Sequence, residues 1–433
     1  MQFASTRRKA PDVGFSAALA QGLAPDGGLY VPETWPSLDI AALPDPSSLP
    51  AIAERFIGAF ASGDALAPEV GDIVREAFNF PAPLVPLDAD GHLGVLELFH
   101  GPTAAFKDFG ARFLAACLTR IRRGQPRPLR ILVATSGDTG GAVAAAFHRK
   151  PGIEVVVLFP KGLVSPTQQQ QLTCWSDNIT SLAVQGSFDD CQRMVKEAFL
   201  DARLREEAEL SSANSINLGR LLPQAVYYAA TSLAVWRRHG EKASFIIPSG
   251  NLGNSVACVW ARRMGLPIGD IVLAHNANRT VTDYLQTGTL HPRPSIATLA
   301  SAMDVGSPSN LERMSALYPD ATQLGAALSA VSIDDEAIRA RIRTDYVRFG
   351  QVWCPHTATA AETWARMSPE RQASRRWVLV STAHPAKFRE IVEPLIGRPV
   401  EVPDNLRRLF ELPASFTEIP ATLDALRAVL PRH

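Results

Sequence analysis

The sequence predicts an α/β protein, with a mostly parallel sheet covered by helices on both faces and a helical segment before it. From about residue 94, short apolar runs typical of buried strands alternate with longer windows of helical periodicity. Such alternation favours parallel strands, because a parallel pair needs a long crossover that is usually a helix. Residues 1–90 lack this alternation, and Pro81 and Pro83 mark the boundary.

The first 90 residues form the helical segment. Residues 15–22 are a short amphipathic stretch that Gly22 ends, and residues 24–32 are dense in turn residues before an extended piece. Helical periodicity returns over residues 52–60 and 70–78. We therefore expect a separate N-terminal domain over residues 1–90.

The remaining residues, 91–433, contain the alternating elements. We expect strands at 95–99, 131–134, 155–159, 179–184, 245–247, 271–274 and 377–382. We expect helices at 104–123, 139–149, 165–174, 188–208, 219–238 and 252–264, and a closing helix over 383–395. Residues 276–330 are rich in Ser, Thr, Pro and Asn, so we interpret them as loops and short helices of a large insertion.

Composition excludes several classes of protein. The chain has 433 residues, of which 46% are hydrophobic and 20% charged, enough for two or three packed units. Lys plus Arg (43) equals Asp plus Glu (43), so no overall charge attracts nucleic acid or anionic membranes. The five cysteines form no C-x-x-C pair, and no signal peptide or membrane-spanning run is visible. We expect a cytoplasmic protein without a metal site.

The segment 98–113, LFHGPTAAFKDFGARF, carries the first candidate functional residue. It passes from a strand through a Gly-Pro-Thr turn into a helix with Lys107 near its first turn. In apolar surroundings the pKa of a lysine falls, and the neutral amine is the nucleophile that Schiff-base chemistry requires. The alternative is a surface lysine whose stem covers Phe106.

A glycine-rich loop, ATSGDTGG at 134–141, joins the next strand to its helix. Ser136 and Thr139 supply hydroxyls, and Gly137, Gly140 and Gly141 expose backbone N–H groups at a helix N-terminus, which is a ready anion site. GDTGG superficially resembles a serine-protease loop and DTG an aspartic-protease loop. The latter enzyme needs a second DTG, which is absent, and neither fits an α/β pattern.

Two further strand-to-helix junctions carry polar residues, and a polar turn before a helix lies between the motifs. PSGNLGN at 248–254 forms a nest for a phosphate, without a Walker lysine or G-x-G-x-x-G spacing. STAHPAK at 381–387 places the Thr382 hydroxyl where a ring nitrogen can meet it. SANSINLGR at 212–220 offers Asn214, Ser215, Asn217 and Arg220, and the arginine can hold a phosphate or carboxylate. We expect the four strand-to-helix junctions, at 98–113, 134–141, 248–254 and 381–387, at one edge of the sheet.

Taken together, the motifs resemble threonine synthase. The matching strings are LFHGPTAAFKDF, ATSGDTGG, SANSIN, PSGNLGN, MD-x3-PSN at 303–310, STAHPAKF and GLAPDGGLYVP at 22–32. The resemblance runs in order along nearly the whole chain. It implies pyridoxal-phosphate (PLP) fold type II, similar to the tryptophan synthase β-subunit, with two α/β lobes, the smaller at roughly 115–230, and an N-terminal domain.

The resemblance also implies roles for individual residues. Lys107 resembles the lysine that forms the Schiff base with PLP, and Thr382 the hydroxyl that bonds its pyridine nitrogen. The cofactor phosphate would be held by Ser249, Gly250, Asn251, Leu252, Gly253 and Asn254. The substrate carboxylate would be received by Ser136, Gly137, Asp138 and Thr139, and the substrate phosphate by Asn214, Ser215, Asn217 and Arg220.

One residue departs from the wider fold type. Many relatives carry an asparagine at the position of Asp138, which donates a hydrogen bond to the phenolic oxygen of the cofactor. An ionised Asp138 has no hydrogen to donate. Leu252 is a milder variation, since many members have an aromatic residue there.

The implied reaction converts O-phospho-L-homoserine and water to L-threonine and phosphate, the last step of threonine biosynthesis, by β,γ-elimination and replacement. Three alternatives remain open: a PLP-dependent phospho-lyase that adds no water, a non-catalytic PLP-binding homologue, and an unrelated anion-binding α/β protein. The sequence leaves the oligomeric state open between monomer and homodimer, and the role of His100 undecided.

Overall fold

The computed structural model describes residues 1–207 and 209–430. The strands within these ranges are β1 (Phe3–Ser5), β2 (Tyr30–Pro32), β3 (Leu84–Pro86), β4 (Leu93–Glu97), β5 (Leu129–Ala134), β6 (Ile153–Pro160), β7 (Ile179–Gln185), β8 (Glu209–Ser212), β9 (Ala243–Pro248), β10 (Ile268–His275), β11 (Ser329–Ser332), β12 (Arg376–Ser381) and β13 (Thr417–Pro420).

The helices alternate with these strands. They are α1 (Phe15–Gln21), α2 (Leu49–Ala61), α3 (Val70–Ala77), α4 (Lys107–Ile121), α5 (Asp138–Phe147), α6 (Pro166–Thr173), α7 (Phe188–Leu200), α8 (Ala202–Glu207), α9 (Leu218–Leu221), α10 (Gln224–His239), α11 (Gly253–Arg263), α12 (Thr280–Thr287), α13 (Leu311–Leu317), α14 (Ala321–Ala327), α15 (Asp335–Phe349), α16 (Pro355–Ala365), α17 (Pro369–Ala373), α18 (Arg389–Ile396), α19 (Asp404–Phe410) and α20 (Leu423–Val429). Short 3-10 turns cover Ala67–Glu69, Ser301–Met303 and Pro385–Phe388.

The larger lobe is built on a six-stranded sheet in the order β11-β10-β9-β12-β4-β3. All its pairs are parallel except β3 with β4, which is antiparallel. In β9, Phe245 and Ile247 face the core shared with the N-terminal region, whereas Ile246 faces the opposite core. Both faces of the strand are therefore buried, which explains its run of consecutive apolar residues over 245–247.

The smaller lobe has a five-stranded, entirely parallel sheet in the order β13-β7-β6-β5-β8. Here too alternate residues of one strand enter different cores: Ile131 and Val133 of β5 point to one, Leu132 and Ala134 to the other. Its edge strand β13 comes from the C-terminal end of the chain, beyond the 115–230 range that the sequence predicts for this lobe.

The N-terminal region is organised around aromatic packing. Strands β1 and β2 pair antiparallel, the ring of Phe3 in β1 lies 5.7 Å from that of Phe15 in α1, and helix α2 packs on both α1 and α3. The rings of Phe56 and Phe60 lie 5.6 Å apart, and Phe60 stacks on Trp260 of α11 at 6.4 Å. This apolar surface, typically worth about 2 to 3 kcal/mol per buried aromatic side chain, fixes the region against the larger lobe.

The structure corrects several sequence-based expectations. The predicted helix over 188–208 breaks at Asp201 into α7 and α8, and residue 208 lies outside the described ranges. The predicted helix over 219–238 is two helices, α9 and α10, because Pro223 separates them. The closing helix begins as a 3-10 turn before α18. Residues 276–330 contain short helices, as expected, and lead into strand β11. In the described ranges no helix has the length and hydropathy needed to span a membrane.

The motif-bearing junctions do not share one sheet. The turns that follow β4, β9 and β12 belong to the larger lobe, and those that follow β5 and β8 belong to the smaller lobe. The expectation of a single edge is therefore wrong. The two carboxyl edges nevertheless meet, because Asp138 at the start of α5 contacts Lys107 and Lys387 of the other lobe.

Candidate active site

Lys107 is the first residue of α4, and its side chain is only 14% exposed. The turn before it is clamped to the end of β12: the Phe106 N–H donates to the Thr382 carbonyl at 2.9 Å, and Ala105 bridges Ala383. Ala104 has a positive φ of 52°, which tightens this turn. The lysine is therefore aimed by backbone contacts into the space between the lobes.

The electrostatic surroundings suit an amine nucleophile. Burial lowers the pKa of Lys107 to about 8; the nearby carboxylate of Asp138 acts in the opposite direction, and Lys387 and Arg220 reinforce the lowering. A substantial fraction of the amine is neutral slightly above neutral pH, as nucleophilic attack on a carbonyl requires. The surface-lysine alternative does not fit this burial.

Asp138 is 4% exposed and lies between two lysines. Its Oδ1 accepts from Lys387 Nζ at 2.9 Å and from Gln168 Nε2 at 3.2 Å, and its Oδ2 is 4.0 Å from Lys107 Nζ. Although burial alone raises it, the positive charges of Lys387 and Lys107 hold the pKa of Asp138 well below its usual range. The carboxylate is ionised and donates no hydrogen bond.

The glycine-rich loop before α5 differs from the predicted anion site in one respect. The Thr135 hydroxyl accepts from the N–H groups of Gly137 at 3.0 Å and Gly140 at 2.9 Å. These two amides are satisfied within the loop, so an anion must use the other donors, which include the half-buried hydroxyls of Ser136 and Thr139. Gly137 has a φ of 135°, which demands glycine there.

The loop between β9 and α11 fits a phosphate group. Leu252 has a left-handed φ of 64°, and the first N–H groups of α11 follow it. The Asn254 side-chain oxygen accepts from Tyr228 Oη at 2.9 Å and from Tyr227 Oη, whereas its buried Nδ2 has no partner among the described residues. A Cβ on Gly250 would lie 2.7 Å from Met303 Cα, so the loop has no room for a side chain there.

Other members of this loop support it from within the chain. Ser249 Oγ bonds to the Ile247 carbonyl and to Ser255 Oγ. The Asn251 side chain donates to Ser215 Oγ at 2.7 Å and accepts from the Ser309 N–H at 2.6 Å. Asn251 thus ties the loop to two other segments.

In the turn between β8 and α9, one predicted side chain is fully bonded within the protein, and two others have polar atoms without a partner among the described residues. The Asn217 side chain caps α9 and donates to the carbonyls of Leu19 and Ser212, so it stabilises the turn rather than facing the cleft. Arg220 is 2% exposed, and its Nη1 donates to the Ala213 carbonyl. Its buried Nε and the Asn214 Oδ1 have no partner within the described part of the chain, as expected for groups that await a ligand.

Comparison with known proteins finds related sequences along nearly the whole chain. Residues 76–383 match the model of the family described as "Pyridoxal-phosphate dependent enzyme", residues 2–78 match "Threonine synthase N terminus", and residues 357–430 match "Threonine synthase, C-terminal". The threonine synthase of Haemophilus influenzae is 39% identical over 96% of both chains.

The chain belongs to the threonine synthase family. The crystal structure of threonine synthase from Escherichia coli superposes with a TM-score of 0.88 at 36% identity, covering 99% of each chain. The PLP-bound threonine synthase from Brucella melitensis superposes with a TM-score of 0.90 at 34% identity, covering 99% of this chain and 98% of that one. The fold-type II prediction is thereby confirmed.

The site of this threonine synthase family member fits PLP, the cofactor of the matched family. A buried amine of lowered pKa, a phosphate nest at the start of α11 and the buried, unpartnered Asn254 Nδ2 supply the groups that an aldehyde and a phosphate need. Thr382, 5% exposed, directly follows β12, and its carbonyl accepts from the Phe106 N–H next to Lys107. The contacts of Lys107 with Asp138 and of Asn251 with Ser215 bring members of the predicted cofactor and substrate sets to one cleft.

Sequence reasoning missed four residues of this cleft. Lys387 lay within a quoted motif without a role, although it is completely buried. Asp108 accepts from the N–H and hydroxyl of Thr103, and Gln168 donates to Asp138. His356 accepts from the Ala302 N–H, and burial lowers its pKa to about 4. In the sequence these four residues follow no periodic pattern, so nothing there distinguishes them from polar residues at the surface.

Proposed function

We propose that this chain is a threonine synthase that converts O-phospho-L-homoserine and water to L-threonine and phosphate with PLP. The observation that carries the proposal is Lys107, a buried lysine of lowered pKa at the meeting of two anion-binding loops, in a chain related to threonine synthases along its whole length. When bound, PLP supplies an electron-withdrawing ring that stabilises negative charge on the substrate carbon chain.

On the cofactor side, Lys107 is the residue that we assign to covalent attachment. Ser249, Gly250, Asn251, Leu252, Gly253 and Asn254 are assigned to the phosphate, with α11 amides and Asn254 Nδ2 as donors. Thr382 is assigned to the pyridine nitrogen. A hydroxyl there, unlike a carboxylate, does not favour protonation of that nitrogen, which moderates the electron withdrawal.

On the substrate side, the loop of Ser136, Gly137, Asp138 and Thr139 is assigned to the substrate carboxylate, with the Ser136 and Thr139 hydroxyls as donors. The Gly137 N–H is bound by Thr135 and the Asp138 side chain is ionised, so these two groups shape the loop instead of binding the carboxylate. Asn214, Ser215 and Arg220 are assigned to the phosphate that leaves, and Asn217 is assigned to holding their turn in place. The unpartnered Nε of the buried Arg220 supports this assignment, because an arginine offers paired donors to a phosphate. Two separate phosphate sites serve a reaction with one phosphate on the cofactor and another on the substrate.

With PLP and substrate bound, Lys107 would be placed to move protons at the substrate α-carbon and then at the β-carbon. Loss of the β-proton would let phosphate leave from the γ-carbon, and water would then add at the β-carbon. An amine with a pKa of about 8 both accepts and returns a proton near neutral pH.

The test is incubation of the purified protein with phosphohomoserine, with threonine and inorganic phosphate measured together. We expect the two products in equal amounts, and none from Lys107→Ala. A 2-oxo acid with ammonia in place of threonine would show a phospho-lyase instead. No product of either kind from PLP-loaded wild type would overturn the proposal.

We also propose a cytoplasmic location and a small-molecule partner only. All five cysteines are unpaired and buried, as is usual in reducing compartments. Burial of the Cys174 side chain raises the pKa of its thiol to about 11, so this thiol is unreactive at neutral pH. Size-exclusion chromatography with light scattering distinguishes a monomer from a homodimer.

A further inference from the structure

Lys387 is the most deeply buried charged group of the cleft. It lies in the 3-10 turn Pro385–Phe388 that follows β12, and its side chain is 0% exposed. Its ammonium donates to the Thr103 carbonyl at 2.9 Å and pairs with Asp138 Oδ1 at 2.9 Å. A buried ammonium is costly unless its partners are fixed, so these two contacts determine its position.

The carboxylate of Asp138 connects Lys387 to Lys107. One oxygen is held by Lys387 and Gln168, and the other points towards the Lys107 nitrogen at 4.0 Å. The three charged groups come from three elements: α4, α5 and the turn after β12. A substitution of Lys387 would therefore affect Lys107 in two ways. It would alter the orientation of the Asp138 carboxylate, and it would alter how far the negative charge of that carboxylate is offset.

Few other charged groups face this cluster. Arg220 acts on Lys107, and His356 faces Asp138. Asp108 and His384 face Lys387; burial raises the pKa of Asp108 and lowers that of His384 to about 4. With His356 likewise neutral at pH 7, the charges acting on the Lys107 nitrogen are chiefly one carboxylate and two cations.

We propose that Lys387 is a positioning residue that holds the Asp138 carboxylate in place and offsets its negative charge beside the Lys107 nitrogen. The proposal rests on the proposed role of Lys107 in attaching the cofactor. It also gives a function to Asp138, which cannot donate the hydrogen bond that an asparagine would make. The pair of Asp138 and Lys387 supplies a donor, the Lys387 ammonium, to the same corner of the site.

The proposal predicts opposite effects for its two partners. Removing the cation in Lys387→Met leaves Asp138 to favour the protonated Lys107 nitrogen, so the midpoint of its titration rises by about one pH unit or more. Removing the carboxylate in Asp138→Asn lowers that midpoint. Lys387→Arg retains the positive charge, so its midpoint stays within about half a unit of wild type.

The measurement is the pH titration of the visible absorption of the PLP-loaded full chain. The rate of PLP attachment to the cofactor-free full chain is measured over the same pH range, because it reports the free amine even where the loaded protein does not titrate. The double variant Lys387→Met with Asp138→Asn is expected to lie between the single variants, since both charges are then absent.

A purely structural role for Lys387 predicts weaker cofactor retention with unchanged midpoints, and that result would overturn the proposal. If Lys387→Met does not fold, Asp138→Asn and Lys387→Arg are compared instead. A titration midpoint in Asp138→Asn that equals the wild-type midpoint would also overturn the proposal. Failure of the underlying assignment looks different: Lys107→Ala would then still bind PLP with visible absorption.

Discussion

Gly110 lies one turn into α4, on the same face as Lys107, and its lack of a side chain sets how closely α9 can approach. A Cβ at this position would lie 2.5 Å from the Arg220 carbonyl oxygen and 3.1 Å from Arg220 Nε. Ordinary contact begins at 3.4 Å, so Gly110→Ala requires the backbone of Arg220 to retreat by about 0.9 Å. That oxygen belongs to the main chain, and no rotamer change relieves the clash.

The expected loss of activity in Gly110→Ala follows from the displacement of Arg220. A hydrogen bond to a charged group contributes about 1.5 to 3 kcal/mol. If the retreat costs Arg220 its contact with the substrate phosphate, kcat/KM for phosphohomoserine falls roughly 10- to 150-fold. The visible absorption of bound PLP should persist, because Lys107 precedes Gly110 and its turn is fixed by β12.

The matched control is Gly58→Ala in α2. Gly58 also lies in a helix interior, but a Cβ there meets nothing within 4 Å. Alanine gains about 0.5 to 1 kcal/mol over glycine in a helix, so this variant should melt slightly higher and retain full activity. Steady-state kinetics and thermal melts of both variants are the assay. Equal activity of Gly110→Ala and wild type would refute the reasoning.

Three further perturbations test other parts of the site. Arg220→Lys keeps a positive charge but loses the paired donors, so we expect phosphohomoserine turnover to fall at least about tenfold with PLP still bound; an unchanged kcat/KM would remove Arg220 from the phosphate site. Asn254→Asp places a negative charge where the unpartnered Nδ2 lies and should weaken PLP binding by about tenfold or more. The control Tyr228→Phe leaves the hydrogen bond from Tyr227 to Asn254 intact and should weaken PLP binding far less. Equal losses of PLP affinity in the two variants would count against a contact between Asn254 and the cofactor phosphate. Because only the neutral amine reacts, the rate of PLP attachment to the cofactor-free protein should rise with pH around a midpoint near 8, and a midpoint near the ordinary value of 10.5 would contradict the burial of Lys107.

Strands β5, β6, β9 and β12 could be predicted because they are buried on both faces and therefore contain runs of consecutive apolar residues. Strand β8 could not, since its sequence, Glu209–Ser212, is polar. In β13 only Ile419 of the four residues is both apolar and buried, and its pairing partner β7 lies more than 200 residues earlier in the chain. Local sequence does not specify such an edge strand, because its partner supplies most of its stability.

The site shows the same division. Lys107 and the glycine loops could be chosen as candidates because they lie at predicted strand ends, and Arg220 because it lies in a polar turn before a helix. The ion pair of Asp138 with Lys387 was not, because it joins residues about 250 positions apart from different lobes. The role of Thr135 was hidden for another reason: a threonine after a strand does not reveal which backbone N–H groups its hydroxyl will occupy.

The most direct test of the account is to locate the residue that binds the cofactor. The PLP-loaded protein is reduced with borohydride, digested and mapped by mass spectrometry. The account predicts a phosphopyridoxyl group on Lys107 and none on Lys387, although the two amines share Asp138. Modification of Lys387, of another lysine, or of none would contradict it.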